Sequence, residues 1–432
     1  MKARKLRIKV VKSEEKEMRK VLKGEEIVIE IPVVLLSEGA GVEGILSVRR
    51  ELVEVIENES YSSVFIEGEE DLEEYFPIVR WIVNDAILKA NLLEVEEKKR
   101  VLNLIKNVSK IFEYPDISFL REFVRKPSLI VSGGPSLEVS LPEIMEFQNS
   151  FLVIAVSASV KILVENGINP DIVVYFDQSE KEYEMYFKEL PYLEESFVVV
   201  HPFLDPNFLK KRQNFVLFYP KVFERFLDVE FYDCFVGLTS LKTGLSVAHT
   251  ACFVAEYLNP GMPIILIAQD LALGEKGQVY PHGARSKGNT LNPRNLVEVK
   301  GIDGETRFTT WDYWMFLKYF EVLGRYLRKK GYMVFNATEE GAYIKNFVHT
   351  RGLNVSVLNE IMRVYSNFDK QAAKYRKLEE YKKMVDCKKK EADSVKGKVL
   401  ECLRKRFKRL VEDKAEVEVL KHKELIELFE EE

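Results

Sequence analysis

The stretch Leu129–Leu137, LIVSGGPSL, limits what this chain can fold into more than any other. A short apolar, β-rich run ends abruptly in two glycines, a proline and a serine, and a helix-compatible segment follows. That order is the first crossover of a parallel α/β sheet. Glycines allow the tight turn and a close backbone approach to a ligand. Pro135 suits the first turn of a helix, where its missing N–H costs nothing. Free N–H groups at such a helix start, aligned with the helix dipole, suit a phosphate. An ordinary strand-to-helix turn has the same sequence needs, and Gly-Gly-Pro-Ser is not a Walker loop. Both readings stand at this point.

The same alternation continues downstream. Leu137–Phe147 reads as a helix, Phe151–Val156 (FLVIAV) as a buried strand meeting Ser157, and Val160–Glu165 as a helix closing at Gly167. Ile172–Phe176 is a strand ending in Asp177, and Phe197–Val200 and Phe215–Phe218 are further strands. Thr239–Leu258 reads as one long apolar helix entered through Leu241-Lys242-Thr243-Gly244, and Pro263–Ala268 as a buried strand ending in Gln269-Asp270. Uninterrupted apolar strands between helices predict an α/β, doubly wound (Rossmann-like) parallel sheet. We assign it residues 126–353, opening at Lys126-Pro127. Ligands of such sheets sit at the C-terminal strand ends. That singles out Ser132, Gly133, Ser157, Asp177 and Asp270, although each also fits a helix-capping role.

The flanks differ in texture. Residues 1–125 read as a smaller α+β region with strands at Leu6–Val11 and Ile27–Leu36. Gly39-Ala40-Gly41-Val42-Glu43-Gly44 is literally G-x-G-x-x-G, followed by a helix (Ile45–Ile56), a strand (Ser63–Ile66) and Glu67 where a ribose-binding acid would fall. Pro32 inside the strand before it argues against a dinucleotide site, and we read a structural turn. Asp71–Phe112 is helical. From Asn354 the chain is Lys/Glu-rich, an all-helical region over 354–432. Its cluster Arg404, Lys405, Arg406, Lys408 and Arg409 could dock an acidic partner, but it reads better as a solvated helix face balanced by nearby Glu.

At 432 residues and 46% hydrophobic, the chain has material for two or three domains with sizeable cores. A net charge of −5 offers no global field for nucleic acid. No apolar run approaches the ~20 residues of a membrane span. The opening MKARKLRIKVVKSEEKE turns charged before any signal-type apolar segment. Cys234, Cys252, Cys387 and Cys402 form no C-x-x-C pattern and read as reduced thiols of a cytoplasmic protein. Abundant Lys and Glu suggest a thermophile. Histidines and cysteines are scattered without metal-site spacing, so no metal is expected. Among five histidines, His282 stands out in the polar, glycine-flanked loop GQVYPHG. His249 lies within an apolar helix and reads as a core residue.

Four blocks carry more than fold class: IVSGGPSL, ENGINPDIVVYFDQS, the pair GLSVAHTACFVAEYL with PIILIAQDLAL, and NATEEGAYI. In this order across Leu129–Ile344 they resemble the motility-associated factor (Maf) proteins. That family includes glycosyltransferases that modify flagellin with nonulosonic, sialic-acid-like sugars. Its central domain is similar to that of bacterial CMP-sialic-acid-dependent sialyltransferases. The glycine–proline–serine–leucine loop of those enzymes is matched by Gly134-Pro135-Ser136-Leu137, and their Thr-Ser-Gly loop by Lys242-Thr243-Gly244. Where they carry asparagines at two strand ends, this chain has Ser157 and Asp177, and a glycine common before the Gln-Asp or Ile-Asp pair is Ala268 here, followed by Gln269-Asp270.

The resemblance implies transfer of a nonulosonic sugar from a CMP-activated donor to Ser/Thr hydroxyls of flagellin, with no cofactor. His282 would be the base for the acceptor hydroxyl, and Tyr280 a donor to the leaving phosphate or sugar carboxylate. Gly133, Gly134, Pro135, Ser136, Thr243 and Gly244 would line the nucleotide pocket. Arg285, helped by Lys287, would hold a carboxylate or phosphate. Asn336 and Thr338 of the NATEEGA block either face this pocket or cap a helix. Two other readings remain. A related domain occurs in archaeal 6-hydroxymethylpterin diphosphokinases, which transfer diphosphate from ATP, and in that reading Asp177 and Asp270 of this chain would share Mg²⁺ beside a phosphate. A non-catalytic protein that binds nucleotide-sugar and flagellin would use the same pocket.

Overall fold

A computed structural model describes residues 4–23, 26–37, 41–58, 61–68, 70–176, 183–187, 193–211, 213–221, 232–235, 237–274, 277–280 and 296–413. The chain divides into two compact units, Met1–Lys99 and Arg100–Glu432.

The first unit contains β1 (Arg4–Val11), β2 (Arg19–Lys23), β3 (Glu26–Pro32), α1 (Gly41–Asn58), β4 (Tyr61–Gly68) and the start of α2 (Phe76–Ile111). Its sheet runs β2-β3-β1-β4, with β1 parallel to both neighbours and β2 antiparallel to β3. Alternation buries Leu6, Ile8 and Val10 of β1 beside Ile27, Ile29 and Ile31 of β3. Helix α1 buries Ile45, Val48, Leu52 and Ile56 at helical spacing. The strand expected to reach Leu36 stops at Pro32, and Val33–Leu35 is a 3-10 turn. Proline has no N–H with which to extend the ladder. Glu67, the would-be ribose acid, is instead ion-paired with Arg7 at 2.6 Å.

The second unit is built on an eight-stranded sheet in the order β16-β15-β12-β5-β6-β7-β8-β9. Its strands are β5 (Ser128–Val131), β6 (Leu152–Val156), β7 (Ile172–Val174), β8 (Phe197–Val200), β9 (Asn214–Leu217), β12 (Ile264–Ile267), β15 (Val334–Asn336) and β16 (Val348–His349). Every pairing in it is parallel. Two small pairs lie outside: β10 (Tyr219–Lys221) with β11 (Ser240–Lys242), and the hairpin β13 (Val297–Lys300) with β14 (Thr306–Thr309). The strands are apolar on both faces because both are covered. Leu129 and Val131 face a core shared with α3 (Leu137–Phe147) and α4 (Ser157–Glu165). Ile130 faces the opposite core, shared with α5 (Val247–Leu258) and α6 (Trp311–Lys329). Among the described residues no helix is long and apolar enough to cross a membrane.

Two local expectations change. The helix expected from Thr239 begins only at Val247, because Ser240–Lys242 pairs as β11 and Ser246 caps α5 through the His249 N–H. The four cysteines are not all thiols: Cys234 and Cys402 form a disulfide across 168 residues, while Cys252 and Cys387 are free. The long helix α8 (Lys370–Asp413), preceded by α7 (Ser356–Val364), brings Cys402 there while Leu403 enters the α3/α4-side core. Closing so long a loop restricts the unfolded chain. Cys402→Ser should therefore lower the unfolding free energy by ~2–4 kcal/mol in urea melts, and reductant should do the same to the wild type but leave the variant unmoved. Equal melts with and without reductant would show that the bond contributes nothing.

Helix α8 is anchored at its start as well. Lys370 and Lys374 place their Nζ atoms 2.8 Å and 3.1 Å from the carboxylate of Asp171, and all three side chains are buried. Further along, the Tyr381 hydroxyl donates to the Phe215 carbonyl of β9 at 2.9 Å. On its exposed C-terminal stretch Lys405 pairs with Glu401 at 2.6 Å.

Candidate functional site

After β5 the chain lays down β6 to β9 successively to one side. It then returns through β10, β11 and α5 to place β12, β15 and β16 on the other side. The winding direction therefore reverses between β5 and β12. In open parallel sheets the crevice at such a reversal, outside the C-terminal strand ends, is where ligands bind. Ser132–Ser136 forms one wall of that crevice and Ala268-Gln269-Asp270 the other.

The two walls are tied together tightly. The Ser132 and Gly134 N–H groups donate to the carbonyls of Ile267 (3.0 Å) and Ala268 (2.9 Å). Ser132 Oγ donates to Gln269 Oε1 at 2.6 Å. Ser136 gives its backbone N–H to Asp270 Oδ1 (3.3 Å) and its hydroxyl to Asp270 Oδ2 (2.9 Å). The N–H that the sequence offers to a phosphate at the start of α3 is thus already held by an internal carboxylate. Gly134 is required by this contact, since a Cβ there would lie 1.8 Å from Asp270 Oδ2. Gly133 also lies close to its neighbour, with the Cβ position 2.9 Å from Ala158 Cβ. Pro135 sits half-buried in the turn leading to α3.

The third element is the end of β15. The Gln269 N–H donates to Thr338 Oγ1 (2.9 Å), and the Thr338 N–H donates to Asn336 Oδ1 (3.2 Å). Both side chains are fully buried. Gly341, at φ +105°, packs its α-carbon where a Cβ would be 2.3 Å from the Asp270 carbonyl oxygen. That carbonyl accepts from the Ala342 N–H at 2.7 Å. Asp270 is consequently enclosed on three sides. Burial pushes its carboxyl up to about 7, against the opposing pull of the two Ser136 hydrogen bonds, and Glu340 adds to the rise. Ala268, at φ +55°, occupies the left-handed region that favours glycine.

The other expected residues are placed as follows. Ser157 opens α4 at the end of β6, half-buried. Thr243 is buried in the loop before α5, and its carbonyl accepts from the Tyr319 hydroxyl at 3.2 Å. Gly244 lets α5 close in, since a Cβ there would be 2.2 Å from His249 Cβ. Tyr280 is half-buried and packs against the α3/α4-side core. Asp177, His282, Arg285 and Lys287 lie outside the described residues. Among the described residues no group of three or more His, Cys, Asp or Glu side chains is arranged to hold a metal. His249 is a core residue. Its Nδ1 is 2.8 Å from Ser246 Oγ, its Nε2 is 3.0 Å from the Phe316 carbonyl, and burial pushes it down to about 3.

Gln269 and Gly341 were not singled out from the sequence. The signal for Gln269 was its adjacency to Asp270, and for Gly341 its place in the NATEEGA block. Neither shows its role until β12 is set between β5 and β15.

This architecture places the second unit among the doubly wound α/β proteins with a crevice at the switch point. A family model described as 6-hydroxymethylpterin diphosphokinase MptE-like matches residues 102–276. Among solved structures, a Maf glycosyltransferase from Magnetospirillum magneticum AMB-1 is similar at 14% identity, with 78% of this chain and 53% of that one covered and a TM-score of 0.47. The chain therefore spans about half the length of that protein. No curated protein matches the chain.

Proposed function

We propose that this protein is a glycosyltransferase that moves a nonulosonic sugar from a CMP-activated donor to serine or threonine hydroxyls of flagellin. The observation that supports it is the convergence of Ser132–Ser136, Gln269-Asp270 and Asn336–Thr338 on one switch-point crevice. The nature of the donor rests on the motif resemblance, including that to sialyltransferases. In this reading the acceptor oxygen bonds to the anomeric carbon while the bond from that carbon to the phosphate oxygen breaks, and CMP departs. His282 takes the hydroxyl proton, and Tyr280 donates to the departing phosphate. Asp270 does not touch substrate. It positions the Gly133–Ser136 loop by occupying the Ser136 donors. Neutralisation of the leaving phosphate by hydrogen bonds is what lets such a transfer proceed without a metal.

A second reading, transfer of diphosphate from ATP, is favoured by the family model over residues 102–276. Ligand-induced thermal shifts separate the two. Saturating CMP or CDP should raise the melting temperature in the presence of EDTA, because a ligand that binds only the native state stabilises it. A shift produced by ATP–Mg²⁺ but by neither cytidine nucleotide would move the assignment to the diphosphokinase. A CMP shift without sugar transfer to flagellin from a CMP-sugar would leave a binding protein.

A further inference from the structure

The sheet of the first unit has two unlike faces. Leu6, Ile8 and Val10 of β1 and their β3 neighbours Ile27, Ile29 and Ile31 point to one face and are buried. Alternation sends Lys5, Arg7 and Lys9 to the other, with the residues in register beside them. That second face is buried at Val28 near its centre. It opens outward to Phe65, 46% exposed, and to the exposed Lys5, Arg19 and Lys23.

Strand pairing sets this face out in rows across β2-β3-β1-β4. One row is Arg19, Glu30, Lys9 and Glu67, so its signs alternate strand by strand. The next is Val21, Val28, Arg7 and Phe65, and the third starts with Lys23, Glu26 and Lys5. Arg7 reaches Glu67 at 2.6 Å and Glu26 at 3.1 Å, with its guanidinium 5.9 Å from the Phe65 ring centroid. The middle row is thus apolar apart from a neutralised cation and lies between two charged rows. Interfaces have this layout, an apolar core inside a polar rim.

Alternating signs offer no single-sign field to nucleic acid or to a charged peptide. They do complement a second copy of themselves. In a two-fold contact the same patch meets itself, and facing sheets stack ~10 Å apart with their strands nearly aligned. Consider a two-fold axis parallel to the strands and midway between β3 and β1. It lays β2 over the partner's β4 and β3 over the partner's β1, and keeps each row in place. Arg19 then meets the partner's Glu67, Glu30 the partner's Lys9, and Glu26 the partner's Lys5, each contact occurring twice. Val21 meets the partner's Phe65. An axis running across the strands would instead set Arg19 on the partner's Lys23, Glu30 on the partner's Glu26 and Lys9 on the partner's Lys5. Every one of those contacts is like on like, so the charges select a single orientation.

We propose that this face joins two copies of the chain about the axis parallel to the strands. The inference does not depend on the function proposed above. Four strands about 4.8 Å apart and about 20 Å long give a footprint of roughly 400 Å² per copy. That is smaller than the ~800 Å² each partner buries in a standard interface, so the dimer should be weak and concentration-dependent.

Sedimentation velocity of the full chain tests this. From about 1 to about 100 μM, the usual span of weak association, the mass should rise from 50.2 kDa toward twice that value. Lys9→Glu opposes carboxylates across the axis and Glu30→Lys opposes ammonium groups, so each should raise the dissociation constant roughly 10-fold or more. An equimolar mixture of these two variants should dimerise again, because every contact across the axis is then between opposite charges. A variant that merely misfolds cannot be rescued in this way. Arg19→Glu, on the exposed edge strand, should also weaken the dimer by facing the partner's Glu67, and it decides the matter if a central variant fails to fold. A wild type that stays monomeric throughout the range overturns the proposal. So does a dimer indifferent to the folded variants, or a mixture of the two folded central variants that remains monomeric.

Discussion

Asp171→Ala should lower the unfolding free energy by ~3–5 kcal/mol, the usual cost of breaking a buried ion pair from one side. Asp171 stands at the start of β7 with no exposed surface, facing Lys370 at 2.8 Å and Lys374 at 3.1 Å. One carboxylate oxygen also accepts the Val153 N–H of β6 at 2.9 Å. Removing the carboxylate strands two buried ammonium groups and a strand N–H together. Burial already pushes the Lys370 amine down, and only Asp171 and its hydrogen bond oppose that. The triple replacement Asp171→Leu, Lys370→Met, Lys374→Met should recover most of the loss, since an apolar cluster needs no charge compensation. Urea melts followed by circular dichroism decide the matter. A single-variant loss below about 1 kcal/mol, the range of exposed pairs, would show that water reaches this cluster.

Asp270 should make the protein less stable as the pH rises from about 4 to about 7. Its carboxyl is raised to about 7 in the native state, against an ordinary value of 3.8. Across that window the unfolded chain has lost this proton and the native chain still holds it, so stability falls with pH. A gap of about three units corresponds to the order of 4 kcal/mol. His201 and His249, each pushed down to about 3, act in the opposite sense. Their contribution is present above the ordinary histidine value and is lost as the pH falls through the window. The informative quantity is therefore the difference between wild type and Asp270→Asn at each pH. The variant should gain on the wild type steadily from pH 4 to pH 7 and hold that gain above it. Parallel stability profiles would mean that Asp270 titrates as a solvated carboxyl and that the crevice wall is open to water.

The sheet was legible because strands covered on both faces must be apolar throughout, and FLVIAV or PIILIA allows no other reading between helices. The strand-end residues Ser132, Asp270 and Asn336 were legible for the same reason, since polarity at the end of such a run is conspicuous. Their partners were not. A polar group at a strand end has the same appearance whether it waits for a ligand or for a neighbouring loop. Which of these holds for Asp270 depends on β12 lying against β5. Cys234 and Cys402 are separated by 168 residues and share no spacing signal. Asp171 lies in Asn169-Pro170-Asp171, a sequence that a turn explains on its own.

The reversal of winding between β5 and β12 also sets a timetable. Ser136 and the carboxylate it holds are 134 residues apart. At ribosomal speeds of about 5–20 residues per second, the loop after β5 waits on the order of ten seconds for Asp270 to be made. Throughout that interval the side of β5 that will receive β12 is an open strand edge, a template for pairing with another chain. The centre of the sheet, which is its most protected place once the chain is complete, is its most vulnerable place during synthesis. Fragments of this protein that end before Asp270 should therefore be the aggregating ones, and the demand for a chaperone should end when β12 leaves the ribosome.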